Sequence, residues 1–191
     1  MEIKYLDDKV VLLRGKSESV LVNPSEDFLL KDKGKSRVVL FTSEDKGRAD
    51  LKDDKVFING VGEYEIGGVE IIGFGGNNGN TLYRVNIDGF KVVVIGALKE
   101  ELSDKKLEKL EECDVLIVLL DEFALDHKVF KDWTKKWGAN YLIPISEDKN
   151  LLNKLLDSFD EEGLEAVPSL KLEKQEDLPD GLEVKLLCKN K

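Results

Sequence analysis

The hydrophobic pattern of this chain changes its period near the middle, and this change limits the folds that the chain can adopt. Before about residue 90, short apolar runs with period-two alternation are separated by turn residues, which is typical of β-strands. After that point, strands alternate with stripes of apolar residues at helical spacing. A β-rich half followed by strand–helix alternation predicts an α+β fold or a layered α/β/α sandwich, with sheets face to face and helices outside.

The strands predicted in the first half are short and are bounded by Asp, Asn, Pro and Gly. They cover residues 3–5, 10–13, 19–22, 37–41, 56–58, 64–66, 69–72 and 81–87. The polar residues 31–36 are interpreted as a break between strands. Paired glycines at Gly67 and Gly68, and the Asn-Asn-Gly-Asn run at 77–80, predict tight turns.

The second half predicts strands and helices in alternation. Strands are expected at 91–95, 115–120 and 141–145, with short ones at 165–167 and 182–187. Residues 115–120 are apolar on both faces, which is typical of a covered central strand. Predicted helices begin after Ser103, after Asp126 and after residue 145, and the last two end at Gly138 and Gly163.

Two tryptophans lie on the predicted helix after Asp126. Trp133 and Trp137 share helical spacing with Val129 and Phe130, which favours packing into the core. An exposed partner surface is the alternative, because exposed Trp often anchors interfaces.

Length and charge limit the function classes. The 191 residues suit one domain that covers 1–191, and the net charge of −10 argues against a surface that follows nucleic-acid phosphates. Lys185, Lys189 and Lys191 form the best basic candidate and are expected to be solvated. No apolar run reaches the roughly 20 residues that a membrane span needs.

The first residues and the two cysteines predict a cytoplasmic protein. Met1 to Lys4 contain no apolar signal region. Cys113 and Cys188 have no Cys-x-x-Cys spacing, so both are expected to be reduced and structural.

Several segments appear in an order that points to a known family. The sequence GVGEYEIGGV at 60–69 resembles the GPGEYEVGGV hairpin of a small-metallohydrolase branch of the metallo-β-lactamase superfamily, which includes ascorbate-phosphate-lactonase-like proteins. Residues 80–83, 88–92, 102–104, 125–126 and 143–144 follow in the order of that branch. The resemblance covers nearly the whole chain and implies a four-layer αββα sandwich.

The metal-binding motif of that family is substituted in this sequence. In the family, a strand that ends in Thr is followed by His-x-His-x-Asp-His, whereas Thr42 is followed here by SEDKGR at 43–48. An aspartate is expected next to Gly96, a histidine after Ile145, a further histidine within 73–78, and an early Gly-His near residue 8. The residues at or beside these ligand positions are Asp8, Ser43, Glu44, Asp45, Arg48, Ala97 and Ser146.

These substitutions imply a relative that does not bind zinc. Catalytic zinc takes about three protein ligands, mostly imidazoles, and the chain contains one histidine, His127. His127 follows a predicted N-cap and is expected to be an exposed or capping residue. The sequence therefore predicts no catalytic residue, no cofactor and no zinc, in a pseudo-hydrolase that binds a small ligand or a protein partner.

Two alternatives remain open from the sequence. Ser43, Glu44, Asp45 and Ser146, with Asp7 or Asp8, could form an oxygen-ligand site for Mg²⁺ or Ca²⁺ in a rebuilt metal-dependent hydrolase, although solvated loop acids are the favoured interpretation. A structural subunit or homo-oligomer is the second alternative. The Gly-rich residues 73–79 are interpreted as a hairpin loop, because they lie between strands and lack the P-loop Lys.

Overall fold

Two β-sheets pack face to face in the computed structural model, which describes residues 1–7, 9–32, 36–43, 55–76, 79–96, 98–122 and 124–189. The first sheet contains β1 (Glu2–Asp7), β2 (Val10–Arg14), β3 (Ser19–Val22), β4 (Val38–Leu40), β5 (Val56–Ile58) and β12 (Leu170–Lys171). The second contains β6 (Gly62–Ile66), β7 (Val69–Gly75), β8 (Thr81–Ile87), β9 (Phe90–Gly96), β10 (Val115–Leu119), β11 (Tyr141–Ile145) and β13 (Glu183–Val184).

In the part of the chain that the structure describes, four α-helices lie outside the sheets. They are α1 (Glu26–Asp32), α2 (Asp104–Glu108), α3 (His127–Trp137) and α4 (Lys149–Ser158), with 3₁₀ turns at Leu120–Glu122 and Gln175–Asp177. One buried cluster fills the space between the sheets, and a second joins the second sheet to α2, α3 and α4. A third packs α1, through Leu29, on the outer face of the first sheet. These layers confirm the predicted αββα sandwich.

The sheet topology brings several strand ends to one edge. The first sheet has the order β12-β1-β2-β3-β4-β5, and the second has β13-β11-β10-β9-β8-β7-β6. Strands β9, β10 and β11 are parallel neighbours, and so are β3, β4 and β5. Parallel strands end at the same edge of their sheet, so the residues that follow β9, β10 and β11 are neighbours there.

The helix after Asp126 forms as predicted. The Asp126 carboxylate accepts hydrogen bonds from the backbone N–H groups of Lys128 and Val129, at 2.8 and 3.3 Å. Gly138 ends the helix in the left-handed conformation with φ 66°, which glycine adopts without a steric cost. Trp133 and Trp137 are both buried, which confirms their assignment to the core.

Other boundaries differ from the predictions. The predicted break at 31–36 overlaps the end of α1, a helix that the sequence did not indicate because it is short and mostly polar. Helix α4 ends at Ser158 and not at Gly163, because Phe159 turns into the core and Asp160 takes a left-handed φ of 60°. In place of a strand at 165–167, the structure has one isolated bridge between Val167 and Leu187.

Neither cysteine forms a disulfide. Cys113 is buried, as expected of a structural residue, and burial raises the pKa of its thiol to about 12. Cys188 is exposed, and its backbone N–H donates to the Val167 carbonyl at 2.9 Å. Among the residues that the structure describes, no helix is long and apolar enough to cross a membrane.

Candidate functional site

The candidate site lies where β4, β9, β10 and β11 end, and we call it the strand-end site. Gly96, Leu119 and Ile145 are level with one another across the sheet. A Cβ atom built on Gly96 would lie 2.6 Å from Thr42 Oγ1 and 3.3 Å from a Leu119 methyl carbon. The two sheets therefore approach each other closely at Gly96, and a larger residue there would push Thr42 away.

A buried amide fixes the end of β4. Asn23 Nδ2 donates to Thr42 Oγ1 at 2.8 Å, and Asn23 Oδ1 accepts from the Thr42 backbone N–H at 2.8 Å. The Thr81 N–H donates to the Thr42 carbonyl at 3.0 Å, and Ser43 pairs with Asn80 in an antiparallel bridge. Ser43, one of the predicted site residues, is thus held by backbone contacts at the start of β8.

Ser146, one of the predicted site residues, follows β11 and contacts a carboxylate. Its Oγ donates to Asp121 Oδ1 at 2.5 Å and accepts from the Asp148 N–H at 3.0 Å. The second oxygen of Asp121 lies 3.5 Å from Lys9 Nζ, and both side chains are about four-fifths buried, with 22% and 18% exposed. A hydroxyl, a carboxylate and an ammonium group therefore lie together after β10 and β11.

A second lysine, Lys189, links the end of β1 to the segment that follows β11. Lys189 Nζ lies 2.6 Å from Asp7 Oδ1 and 2.5 Å from Glu147 Oε1. Hydrogen bonds to Asp7 and Glu147 raise the pKa of Lys189, so the group is charged at neutral pH. Of the basic tail considered in the sequence, Lys185 is paired with Glu183 at 2.8 Å, and Lys191 lies outside the described residues.

The structure places only part of the predicted site. Ser43 and Ser146 both lie at the strand-end site, although nothing shows direct contact between them. The other predicted positions lie outside the described residues: Asp8, Glu44, Asp45, Arg48 and Ala97.

Sequence reasoning missed the residues that pair with Ser146 and its neighbours. Lys9, Asp121 and Lys189 carry no motif, and each contacts a partner that is distant in the sequence. Only proximity in the sequence pointed to these residues, since Lys9 follows the predicted site residue Asp8 and Glu147 follows Ser146.

The side chains do not fit the zinc ion that the fold family implies. The only histidine of the chain, His127, lies at the start of α3 in the outer helix layer, with Nδ1 3.2 Å from the Lys154 carbonyl. Within the described ranges, no three His, Cys, Asp or Glu side chains converge as a metal-binding group. Hydroxyl groups and lysine-paired carboxylates replace the imidazoles that zinc prefers.

The family model for the beta-lactamase superfamily domain matches residues 2–146. The chain belongs to the metallo-β-lactamase superfamily. A Thermotoga maritima protein assigned to the Zn-dependent hydrolases of this superfamily has a similar structure, with a TM-score of 0.78 at 22% identity over 98% of both chains. A Parabacteroides distasonis protein assigned as a metal-dependent hydrolase has a TM-score of 0.66 at 12% identity, over 97% of this chain and 93% of its own.

The metallo-β-lactamase fold protein YhfI from Bacillus subtilis is a third structural relative, with a TM-score of 0.60 at 12% identity over 97% of this chain and 95% of its own. A comparison with curated proteins found no match. At these identities the structural likeness shows the fold, and the activity must be argued from the site of this chain.

We expect Ser146→Ala to lower the free energy of unfolding by about 1–2 kcal/mol, because it removes a hydrogen bond to a largely buried carboxylate. Urea denaturation followed by circular dichroism measures the change. Ser103→Ala is the matched control, since Ser103 precedes α2 and its side chain makes no capping hydrogen bond. Equal stability of the two variants would contradict a role for the Ser146–Asp121 contact.

Proposed function

We propose that this chain is a non-catalytic member of the metallo-β-lactamase superfamily that acts by binding a small ligand or a protein. The contact between Ser146, Asp121 and Lys9 carries the proposal. Ser146 stands where the family places a histidine, its hydroxyl is engaged with Asp121, and the Lys9 ammonium group lies 3.5 Å from the same carboxylate. The cation at this carboxylate is thus supplied by the chain itself.

Electrostatics at the strand-end site disfavour a divalent cation. Two like charges about 4 Å apart repel by several kcal/mol at the dielectric of a protein surface, so a metal ion at Asp121 would have to displace Lys9. Asp7 and Glu147 are likewise paired, with Lys189. Arg48, at a ligand position in the sequence, would add a further positive charge.

The framework around the site is intact, and this supports a binding role over general decay. Asn23 makes two hydrogen bonds to Thr42, and Gly96 allows the close approach of the two sheets. These residues are suited to their positions in the fold, as in sequences whose native structure is well specified.

The alternative is a metal-dependent hydrolase with a rebuilt oxygen-ligand site for Mg²⁺ or Ca²⁺. The acids at the end of β1 and after β10 and β11 give it some support, since carboxylate oxygens suit these hard cations. The lysines paired with those acids favour the non-catalytic proposal. If Asp45→Asn leaves Mg²⁺ binding and any hydrolysis unchanged, the alternative fails.

The proposal includes a cytoplasmic location, because two thiols that form no disulfide are compatible with a reducing compartment. Fractionation of cells that produce the protein would test the location.

Elemental mass spectrometry of untagged protein, purified without added metal, tests the proposal. We expect less than about one-tenth of an equivalent of any transition metal, because the imidazole ligands of a catalytic zinc site are replaced. We also expect no hydrolysis of esters, lactones or phosphodiesters. A full equivalent of metal, with hydrolysis that a chelator abolishes, would overturn the proposal.

A further inference from the structure

A cavity of about 310 Å³ lies on the outer face of the second sheet, and we call it the outer pocket. Its walls include Glu63 on β6, Ile72 and Phe74 on β7, Arg84 on β8 and Lys109 after α2. Glu63 pairs with Ile72 and Ile72 pairs with Arg84, so these three side chains share one face of the sheet.

The outer pocket is distinct from the strand-end site. Arg84 is level with Val93, three residues before Gly96, which places it roughly 10 Å along the strand from the end of β9. Its neighbours Tyr83 and Val85 belong to the core between the sheets, so Arg84 points to the opposite, helix-bearing face.

Two cations, Arg84 and Lys109, line this pocket, and neither forms an ion pair with a carboxylate in the described part of the chain. Arg84 Nη1 donates to the Lys109 carbonyl at 2.9 Å, and its buried Nε has no hydrogen-bond partner there. No described carboxylate forms an ion pair with Arg84 or Lys109, whereas Lys9, Lys131 and Lys189 are paired with acids. Glu112, a described acid close enough to act on Arg84, is exposed and forms its ion pair with Lys91, so the pocket keeps two positive charges.

The rest of the pocket is apolar on one side and acidic on the other. Phe74 and Ile72 are half-buried, and Lys109 Nζ lies 5.9 Å from the centroid of the Phe74 ring. Glu63 is exposed on the far side of Ile72 from Arg84, where it disfavours a second negative charge. A volume of about 310 Å³ is near the lower limit for small-molecule sites.

We propose that the outer pocket binds a small monocarboxylate with an apolar body. The carboxylate lies between the Arg84 guanidinium and the Lys109 ammonium group, and the body lies on Phe74 and Ile72. The Lys109 carbonyl holds Nη1 and fixes the plane of the guanidinium, whose remaining Nη hydrogens are donors for a carboxylate. This site is independent of the proposed function at the strand-end site.

Nuclear magnetic resonance of the ¹⁵N-labelled full chain tests the proposal with 3-phenylpropionate as the probe. The buried Nε–H of Arg84 gives a reporter signal, which Arg84→Lys removes and thereby identifies. We expect saturable shifts of this signal and of the Phe74 amide, with a Kd on the order of 1 mM for a ligand of this size. The neutral 3-phenylpropanamide should bind clearly more weakly.

Two lysine variants on the same helical segment complete the test. Lys109→Gln should weaken 3-phenylpropionate binding by about threefold to fivefold, because it removes one exposed charge from the pocket. Lys105→Gln, an equally exposed change on α2 away from the pocket, should leave the Kd unchanged. Non-saturating shifts, equal binding of the amide, or equal Kd values for the two variants would overturn the inference. None of these outcomes bears on the metal content expected at the strand-end site, so the two proposals can fail separately.

Discussion

Trp137→Ala is expected to lower the free energy of unfolding by about 3–5 kcal/mol. Trp137 is fully buried between α3 and α2, and its Nε1 donates to the Leu107 carbonyl at 3.0 Å. Its ring lies 5.7 Å from that of Trp133, so truncation leaves a cavity and an unpaired carbonyl. Domains of this size are stable by only about 5–15 kcal/mol, so the loss is a large part of the total.

Urea denaturation followed by circular dichroism is the suitable measurement, because the substitution changes the tryptophan fluorescence itself. Lys136→Ala is the matched control, since Lys136 is the exposed neighbour on the same helix and should change stability by no more than about 0.5 kcal/mol. A loss of stability in Trp137→Ala as small as that of the control would contradict the burial of Trp137 between α3 and α2.

Gly73→Ala is expected to destabilise the protein by about 1–3 kcal/mol. A Cβ atom on Gly73 would lie 2.4 Å from the backbone carbonyl oxygen of Gly60, and a backbone atom cannot move aside as a flexible side chain can. Strand β7 would have to shift away from the segment that precedes β6.

Gly75→Ala on the same strand separates this clash from a general effect of glycine replacement. The nearest atom to a Cβ at Gly75 is a Val61 side-chain methyl carbon at 3.3 Å, and Val61 is exposed. Gly75→Ala should therefore be nearly neutral in the same denaturation experiment. Equal losses in the two variants would contradict the close approach of Gly60 and Gly73.

The sequence predicted those elements whose signals are local. Strands β3 and β8 were predicted to the residue, because their apolar runs are bounded by turn residues. Helix α3 was predicted because Asp126 and Gly138 give recognisable ends. Helix α1 and strand β12 were missed, since one is short and polar and the other has two residues and depends on pairing with β1.

The candidate site was predictable only as far as the family resemblance reaches. Ser43 and Ser146 follow from motif positions, and the structure places both at the strand ends. The pairing of Lys9 with Asp121, and of Lys189 with Asp7, joins residues far apart in the sequence. Charges are frequent in this chain, so no local pattern indicates which lysine meets which acid.

The antiparallel pairing of β1 with β12 has a consequence for synthesis on the ribosome. Strand β1 is translated long before β12, and its outer edge is covered only when Leu170 and Lys171 have been added to the chain. Until then the nascent chain presents an open strand edge, which is a template for pairing with other chains. The time needed to translate the residues between β1 and β12 thus governs how long this edge remains open, and slow translation of that segment would prolong the period in which nascent chains can aggregate.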